Sequence, residues 1–373
     1  MISTTKTSLK YTVTAILFAV ASTFSVSAQP AGEAKTEKEA KAEKFDAGKM
    51  IMEHIGDAHE WHIAGEGAHR IALPLPVILY TANGLDVFMS SKFHNADNTY
   101  QGKNNYKQLE NNHIVILSSA GEIDKEATAK LWDISISKNV ASLFFSAICI
   151  LLIFGSISAT YGKNPNVAPT GVQSFIEPLI IFIRDEVAKP SIGEKHYAKF
   201  VPFLLTVFFF ILFNNLLGLI PVLPGGANLT GNIAITMVLA LFTFAITTYN
   251  GNKHYWKHIF AMPGVPKAVL FILTPIEILG VFLKPFVLMI RLFANMAAGH
   301  IIALSFFAII FIFGEMSWAA GMGVSLVSVA FTVFMGLLEL LVAFLQAYVF
   351  VLLSAMYFGM ALEEGHEAHG EHH

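Results

Sequence analysis

The chain has 373 residues, of which 54% are hydrophobic and only 14% are charged, against about 25% charged residues in ordinary soluble domains. A mean hydropathy of +0.58 and 32 phenylalanines exclude a purely soluble protein and indicate an integral membrane protein with a polar portion attached. The single cysteine, Cys149, excludes an intramolecular disulfide, and the net charge of −3 says little about partners because the charges are unevenly placed.

The first 28 residues have the pattern of a secretory signal peptide. Lys6 and Lys10 give a basic start, residues 11–24 are apolar, and small residues end at Ala28. The alternative is a retained first membrane helix. We favour cleavage because the apolar stretch is short and a polar region follows it. Residues 29–49 are charged and low in complexity, which predicts a disordered or helical linker.

Residues 50–138 are moderately polar and are predicted to form a small exported α+β or β-hairpin region. Strand-like runs flank "TANG", a turn signal at residues 81–84. A metal site is one interpretation of the histidines in this part of the chain, but their intervals do not match a zinc pattern, which favours surface or packing roles. These histidines are His54, His59, His62 and His69. The tail, residues 363–373, is rich in His and Glu, and we expect it to be disordered and cytoplasmic, with weak metal binding as the alternative.

Three apolar stretches, residues 139–159, 200–220 and 230–249, are long enough to cross a bilayer. Residues 174–190 mix apolar and charged positions at helical spacing, which predicts an interfacial amphipathic helix. The loops at 160–199 and 250–268 are basic, whereas the loop at 221–230 has no Lys or Arg, so positive-inside counting puts the two basic loops in the cytoplasm. The basic residues are Lys163, Arg184, Lys189, Lys195 and Lys199 in the first loop and Lys253, Lys257 and Lys267 in the second.

Two longer helices are predicted after residue 270. "TPIE" reads as a capping box with Thr274 at the N-cap and Glu277 at N3, and a helix from there to about residue 308 would be roughly 50 Å long. Residues 318–361 would extend roughly 65 Å as one helix. Both exceed a hydrocarbon core of about 30 Å, so they must tilt strongly, kink (Pro285 is a candidate) or lie partly in the membrane plane. The fold class is therefore an all-α membrane protein with about five membrane helices, the last two long and tilted.

Few ionisable residues interrupt these apolar helices. Glu277, Lys284 and Arg291 recur every seven residues and share one slowly drifting stripe. A charge such as Arg291 costs about 2.5–3.5 kcal/mol inside a membrane, so it needs a partner or a function. The Arg291 stripe continues through small and polar residues that let another helix approach closely. Its other members are Ala294, Asn295 and Ala298, and the second helix has a comparable stripe of Glu339, Ala343 and Gln346.

His300 follows Arg291 by nine positions, half a turn away from it, so the two residues cannot contact the same neighbour. Glu339 on the returning helix is its expected partner, and a His–Glu pair in a water-filled cleft is a plausible proton relay.

Structural roles remain as alternatives for these residues: helix capping for Glu277, snorkelling for Lys284 and a purely structural hydrogen bond for His300 with Glu339. For Arg291 the alternative is a buried ion pair with Glu277 or Glu339.

Three segments together resemble subunit a of the F-type ATP synthase: "KPFVLMIRLFANMAAGHII", "LLELLVAFLQAYVFVLLSAMYFGMAL" and "FNNLLGLIPV". The resemblance covers about residues 139–362 and is most specific over 275–362. The exported region that precedes it is an extension, and the layout of signal peptide and extension resembles subunits from the Bacteroidetes group.

The resemblance implies a stator channel with two proton half-channels beside a rotating c-subunit ring. Arg291 would face the ring carboxylates, Asn295 and Gln346 match polar positions near it, and His300 with Glu339 would form the proton relay. Glu277 and Lys284 match positions toward the cytoplasmic half-channel, and Asn215 matches a polar position in the second span. Gly218 and Leu223 stand where some relatives have aspartates, so this chain departs there from the family pattern of an acidic access path.

The implied partners are the c-ring, the b subunits of the peripheral stalk, the other synthase subunits and the lipid bilayer, without nucleic acid, cofactor or metal. The implied location is the bacterial inner membrane, with the N-terminal region periplasmic and the C-terminus cytoplasmic. No P-loop occurs, so ATP chemistry would belong to partner subunits, and the His–Glu pair favours H⁺ over Na⁺. A secondary transporter and a membrane hydrolase are the competing functions, but we find no internal repeat and no HExxH, GxSxG or CxxC motif.

Overall fold

The fold is taken from a computed structural model, which describes residues 46–64, 71–95, 97–109, 112–163, 168–220, 225–262 and 265–363. The predicted signal peptide, most of the predicted linker and the His-rich tail lie outside these described residues, as do His69 and Leu223. The predictions made for them stay predictions.

The described residues of the extension form short strands in three small antiparallel sheets, two short α-helices and one 3₁₀ helix (Ser90–Phe93). The central hairpin pairs two six-residue strands and turns through Ala82 and Asn83, with Thr81 opposite Gly84, as "TANG" predicted. Gly84 has φ 98°, a conformation that favours glycine. The elements are α1 (Ala47–Ile55), β1 (Glu60–Ala64), β2 (Ile71–Pro74), β3 (Pro76–Thr81), β4 (Gly84–Met89), β5 (Thr99–Gln101), β6 (Asn105–Gln108), β7 (Ile114–Leu117), α2 (Lys125–Ala129) and β8 (Trp132–Asp133).

The described residues contain five helices long and apolar enough to cross a membrane, as predicted. They are α3 (Lys138–Lys163), α6 (Tyr197–Gly218), α7 (Ile233–Asn250), α9 (Lys267–Met316) and α10 (Trp318–Leu362). The core of the bundle lies around α6, whose Leu204, Phe208 and Ile211 are fully buried. In α3 the ring of Phe154 packs edge-on against Phe209 of α6, with 4.8 Å between ring centroids.

The segment predicted as an interfacial helix is helical and amphipathic, but it is divided into three parts. A π-helical stretch, Ile183–Ala188, separates α4 (Val172–Phe182) from α5 (Lys189–Ile192). Its Ile183 and Val187 are fully buried. Its Asp185 binds both Arg184 and Lys189 at 2.7 Å, and hydrogen bonds from these two cations hold the pKa of the Asp185 carboxyl well below its usual value.

The predicted start of the first long helix is wrong. Helix α9 begins at Lys267 and its N-cap is Pro266, so Thr274 lies inside the helix and its hydroxyl donates to the carbonyl of Phe260 at 3.2 Å. Apolar residues extend the helical pattern upstream of the "TPIE" signal, and the chain tolerates the internal prolines at 275 and 285. The helix also continues to Met316, eight residues past the predicted end.

Helices α9 and α10 form a hairpin with only Ser317 between them. The Ser317 hydroxyl caps α10 by accepting from the backbone N–H of Ala320 at 3.1 Å. With 50 and 45 residues, the helices are about 75 and 68 Å long, so neither fits upright in a hydrocarbon core of about 30 Å. These lengths agree with the sequence prediction that the two helices must tilt strongly, kink or lie partly in the membrane plane. Short helix α8 (Lys253–Phe260) precedes the hairpin.

Candidate functional site

The Arg291 stripe lies on the surface of α9. Arg291, Ala294, Asn295 and Ala298 are all exposed, whereas Leu292 and Met296 between them are each 1% exposed. This alternation follows the helical period, so one side of α9 packs on the bundle and the other presents a cation flanked by small residues. Among the described residues no ion pair joins Arg291 to Glu277, and Glu339 is bound to His300. The intrachain ion pair considered for Arg291 is therefore not present.

His300 and Glu339 form a shielded pair on the other side of α9. Nδ1 of His300 shares a hydrogen bond with Oε1 of Glu339, and the two side chains are 15% and 10% exposed. Gly299 makes room for this contact, because a Cβ there would lie 3.0 Å from the Glu339 carboxylate oxygen. The pairing expected from the half-turn offset is present, and both side chains can exchange a proton.

The edge of the imidazole that carries Nε2 lies beside Gly218, at the end of α6. A Cβ built on Gly218 would lie 3.7 Å from Nε2 of His300 and 3.4 Å from the carbonyl oxygen of Ala227. The histidine therefore occupies space beside the position where the resemblance placed an aspartate in some relatives. A Cβ at Gly218 would make ordinary van der Waals contact with the ring, so only a larger side chain would compete with His300 for this space.

Asn215 links three elements next to this pair. Its side-chain amide donates to the carbonyl of Ala343 on α10 at 3.2 Å, and its oxygen accepts from the hydroxyl of Thr230 at 2.6 Å. All three residues are buried, at 1% exposure or less. Sequence analysis missed Thr230 and its buried neighbour Asn228, although the polar cluster "NLTGN" in an otherwise apolar, uncharged loop was a usable signal.

Glu277 and Lys284 are half-buried in the first half of α9. Capping does not explain Glu277, because the helix begins ten residues before it. The ammonium of Lys284 lies 5.7 Å from the ring centroid of Tyr357, within cation–π range, and it lines a small cleft with Thr247 and Tyr255.

Gln346 and Ala343 on α10 are buried at 8% and 0% exposure, whereas Asn295 is exposed beside Arg291. The polar stripe of α10, which also contains Glu339, therefore faces the interior of the bundle. The structure thus divides the predicted residues between an exposed face and a buried one.

The charged positions follow one another along α9 from one end of the bundle to the other. Near the start of α9, Ile278 and Val281 pack on Tyr255 of α8 and on Ala361 at the end of α10. Toward the other end, His300 lies beside the loop after α6. Arg291 stands between the two groups, about 10 Å from Lys284 and about 14 Å from His300 along the helix axis.

The extension contains no metal centre among the residues that the structure describes. The ring of His59 is buried and its Nε2 lies 3.2 Å from a carboxylate oxygen of Asp133. Burial acts to raise the pKa of Asp133, but hydrogen bonds from His59 and Ser135 outweigh it and lower that pKa. The side chains of His54 and His62 are outside the described set.

Comparisons with known proteins match the two parts of the chain separately. The sequence model of the ATP synthase A chain family matches residues 142–359, and that of a domain of unknown function matches residues 50–134.

Similar proteins include ATP synthase subunit a 2 of Chlorobaculum tepidum, 49% identical over 246 residues that cover 64% of this chain and 67% of the relative. Subunit a of Chlorobium phaeobacteroides is 48% identical over 65% of this chain and 70% of its own length. Subunit a of Myxococcus xanthus is 43% identical over 65% of this chain and 78% of its own length. The chain therefore belongs to the ATP synthase A chain family, the proton-translocating stator subunits of the membrane sector.

Proposed function

We propose that Arg291 separates two proton half-channels that open at opposite ends of the bundle. The observation that carries this proposal is the order along α9: Lys284 on the side of α8, His300 on the side of the loop after α6, and an exposed Arg291 between them. Protons would reach the c-ring by one half-channel and leave it by the other, and ring rotation would connect the two.

Arg291 acts through its charge on a neighbouring protein. Its exposure in a membrane-spanning helix costs about 2.5–3.5 kcal/mol unless a counter-charge is supplied. A carboxylate on each c subunit supplies that charge as it passes, and the guanidinium favours its ionised form. Ala294 and Ala298 have small side chains, which lets a ring helix approach closely. Because a carboxylate beside Arg291 stays unprotonated, protons do not leak directly between the half-channels.

His300 and Glu339 carry protons in the half-channel that opens on the side of the extension, which we call the exported half-channel. Asn215 and Gln346 are its polar lining. An imidazole and a carboxylate in hydrogen-bond contact can accept a proton on one side and release it on the other without a large rearrangement. Glu277 and Lys284 form the cytoplasmic half-channel, at the end of the bundle where the cleft beside Tyr357 lies.

The orientation rests on charge and on contacts at the two ends. At one end, the backbone N–H of Asn252 donates to the carbonyl of Ala361 at 3.0 Å, which joins the second basic loop to the end of α10. At the other end, the extension contacts the uncharged loop after α6. Positive-inside counting makes the basic end cytoplasmic and the extension periplasmic in a bacterial inner membrane.

The partners in this arrangement are the c-ring, the b subunits of the peripheral stalk and the other synthase subunits. The chain translocates protons without catalysing ATP chemistry, which belongs to the soluble subunits. Its contribution is positional and electrostatic.

Substituting Arg291→Ala tests the proposal directly. We expect proton-driven ATP synthesis to be abolished while the variant still inserts and assembles, because Arg291 is exposed and contributes little to the core. The matched control is Arg184→Ala, which removes an exposed arginine from the π-helical stretch. Normal coupled ATP synthesis by the Arg291→Ala variant would contradict the proposal of two half-channels.

A further inference from the structure

The extension contacts the membrane helices at a loop that borders the proton path. Trp61, on β1, is 7% exposed, and its indole N–H donates to the carbonyl of Gly225 at 3.1 Å in a buried hydrogen bond. Gly225 has no room for a side chain, because a Cβ there would lie 2.3 Å from the carbonyl oxygen of Ile220. A residue of the extension thus binds Gly225, which lies directly against Ile220 at the end of α6.

The same loop lies against Gly218, the residue that also borders the ring of His300. The N–H of Gly226 donates back to Leu217 at the end of α6, at 3.3 Å. Thr230, at the far end, donates to Asn215, which in turn binds the backbone of α10. Between them, the carbonyl of Ala227 faces Gly218, beside the imidazole of His300. A shift of this loop would change the surroundings of the relay.

A second contact ties the extension to the start of α3. The carboxylate of Asp57 accepts from the backbone N–H of Asn139 at 3.1 Å and from the hydroxyl of Ser137 at 2.7 Å. The carbonyl of Ala58 accepts from the N–H of Lys138 at 2.8 Å. A carboxylate about 80 residues upstream therefore caps the positive end of a membrane helix. Helix α1 in addition packs against α9.

The strand that carries Trp61 is held rigidly within the extension. His59 binds Asp133 of β8 at 3.2 Å, and Glu60 binds His94 at 2.7 Å. Trp61 itself pairs with Leu73 of β2. Rigid support of this kind is what allows one residue to position another group accurately.

We propose that the extension is a brace for the exported half-channel, and that Trp61 is a positioning residue that acts through the loop at 225–230 on His300 and Glu339. This inference rests on the proposed function, because it assigns the exported half-channel to that pair. It gives a role to the part of the chain that matches a domain of unknown function. The extension contacts both α3 and the loop, so it holds the loop in one position beside Gly218 and His300.

The test compares Trp61→Phe with Trp132→Phe in the intact synthase in liposomes. The first substitution keeps an aromatic ring and removes the N–H that binds Gly225, whereas Trp132 lies in the same extension but is 69% exposed. ATP synthesis is measured per assembled complex, with the pH on each side set independently. We expect Trp61→Phe to lower synthesis about three- to tenfold, below the roughly 10- to 100-fold effect of removing a group that directly orients a functional ligand. Trp132→Phe should match the wild type.

A second readout separates positioning from a loss of stability. If the exported half-channel limits the proton flux in Trp61→Phe, its ATP synthesis should change with the exported-side pH over a wider pH range than in the wild type. Its response to the cytoplasmic pH should be the same as in the wild type. Poorer assembly would scale both dependences equally. If Trp61→Phe does not assemble, Asp57→Asn, which weakens the contact with α3, is expected to give the same one-sided change.

Unchanged synthesis per complex in Trp61→Phe, an equal loss in Trp132→Phe, or a symmetrical pH response would each overturn the brace. The proposed function would survive any of these results as long as Arg291→Ala abolishes coupling. Retained coupling in Arg291→Ala would instead contradict the proposed half-channels, on which the brace proposal depends.

Discussion

Replacing His300 by glutamine asks whether the His300–Glu339 pair moves protons or only holds two helices together. Glutamine keeps a hydrogen-bond donor for Glu339 but cannot accept and release a proton near neutral pH. A complete loss of the donor would leave a buried carboxylate unpaired, which costs about 3–5 kcal/mol. The glutamine side chain would avoid most of this cost, so assembly should be close to that of the wild type.

The expected effect on proton flow is much larger than the effect on assembly. A positioned proton-transfer group contributes about 10²–10⁴-fold, and Glu339 with water retains part of the path, so we expect synthesis per complex to fall about 100-fold. The measurement is ATP synthesis by the purified synthase in liposomes at a fixed proton-motive force. His258→Gln, which changes an exposed histidine on α8, is the matched control. Wild-type synthesis by His300→Gln would refute the relay and leave the pair a structural hydrogen bond.

Two further predictions concern helix packing and the extension. Gly321→Ala should impair assembly, because its Cβ would lie 2.8 Å from Cα of Gly314. The control, Gly323→Ala, should assemble normally, because a Cβ at Gly323 has no neighbour within 4 Å. Blue-native gels measure the assembly of both variants. Because the folded-state pKa of Asp133 is lowered, its pairing with His59 stabilises the extension above the unfolded value of 3.8 and is lost as pH falls through the folded value. Hydrogen exchange should show this acid-dependent loosening in the wild type but not in Asp133→Asn.

The division of α9 into two faces was predictable because it depends only on the helical period. Arg291, Ala294 and Asn295 fall together on any regular helix, and His300 falls opposite them, whatever the tertiary structure. The apolar runs likewise indicated the five spans, since a bilayer requires about 20 apolar residues per helix.

Helix ends were less predictable than helix faces. Thr274, Pro275 and Glu277 carry the residue types of a start signal, yet the helix begins at Lys267. A capping signal is worth only about 0.5–2 kcal/mol, and residues 267–273 upstream of it contain no glycine or proline that would end a helix. The start signal therefore does not mark the helix start, because the apolar run before it continues the helix toward the N-terminus.

The sequence by itself determined which residues share a helix face, which segments are apolar enough for a membrane, and that Arg291 needs a partner or a function. Only the tertiary structure decided that Trp61 binds Gly225, 164 residues away, and that Asp57 caps α3. Such contacts join segments that are far apart along the chain, and the spacing of residues within either segment does not indicate them. Periodicity reports what one helix presents to its surroundings, whereas the identity of those surroundings depends on how the whole chain packs.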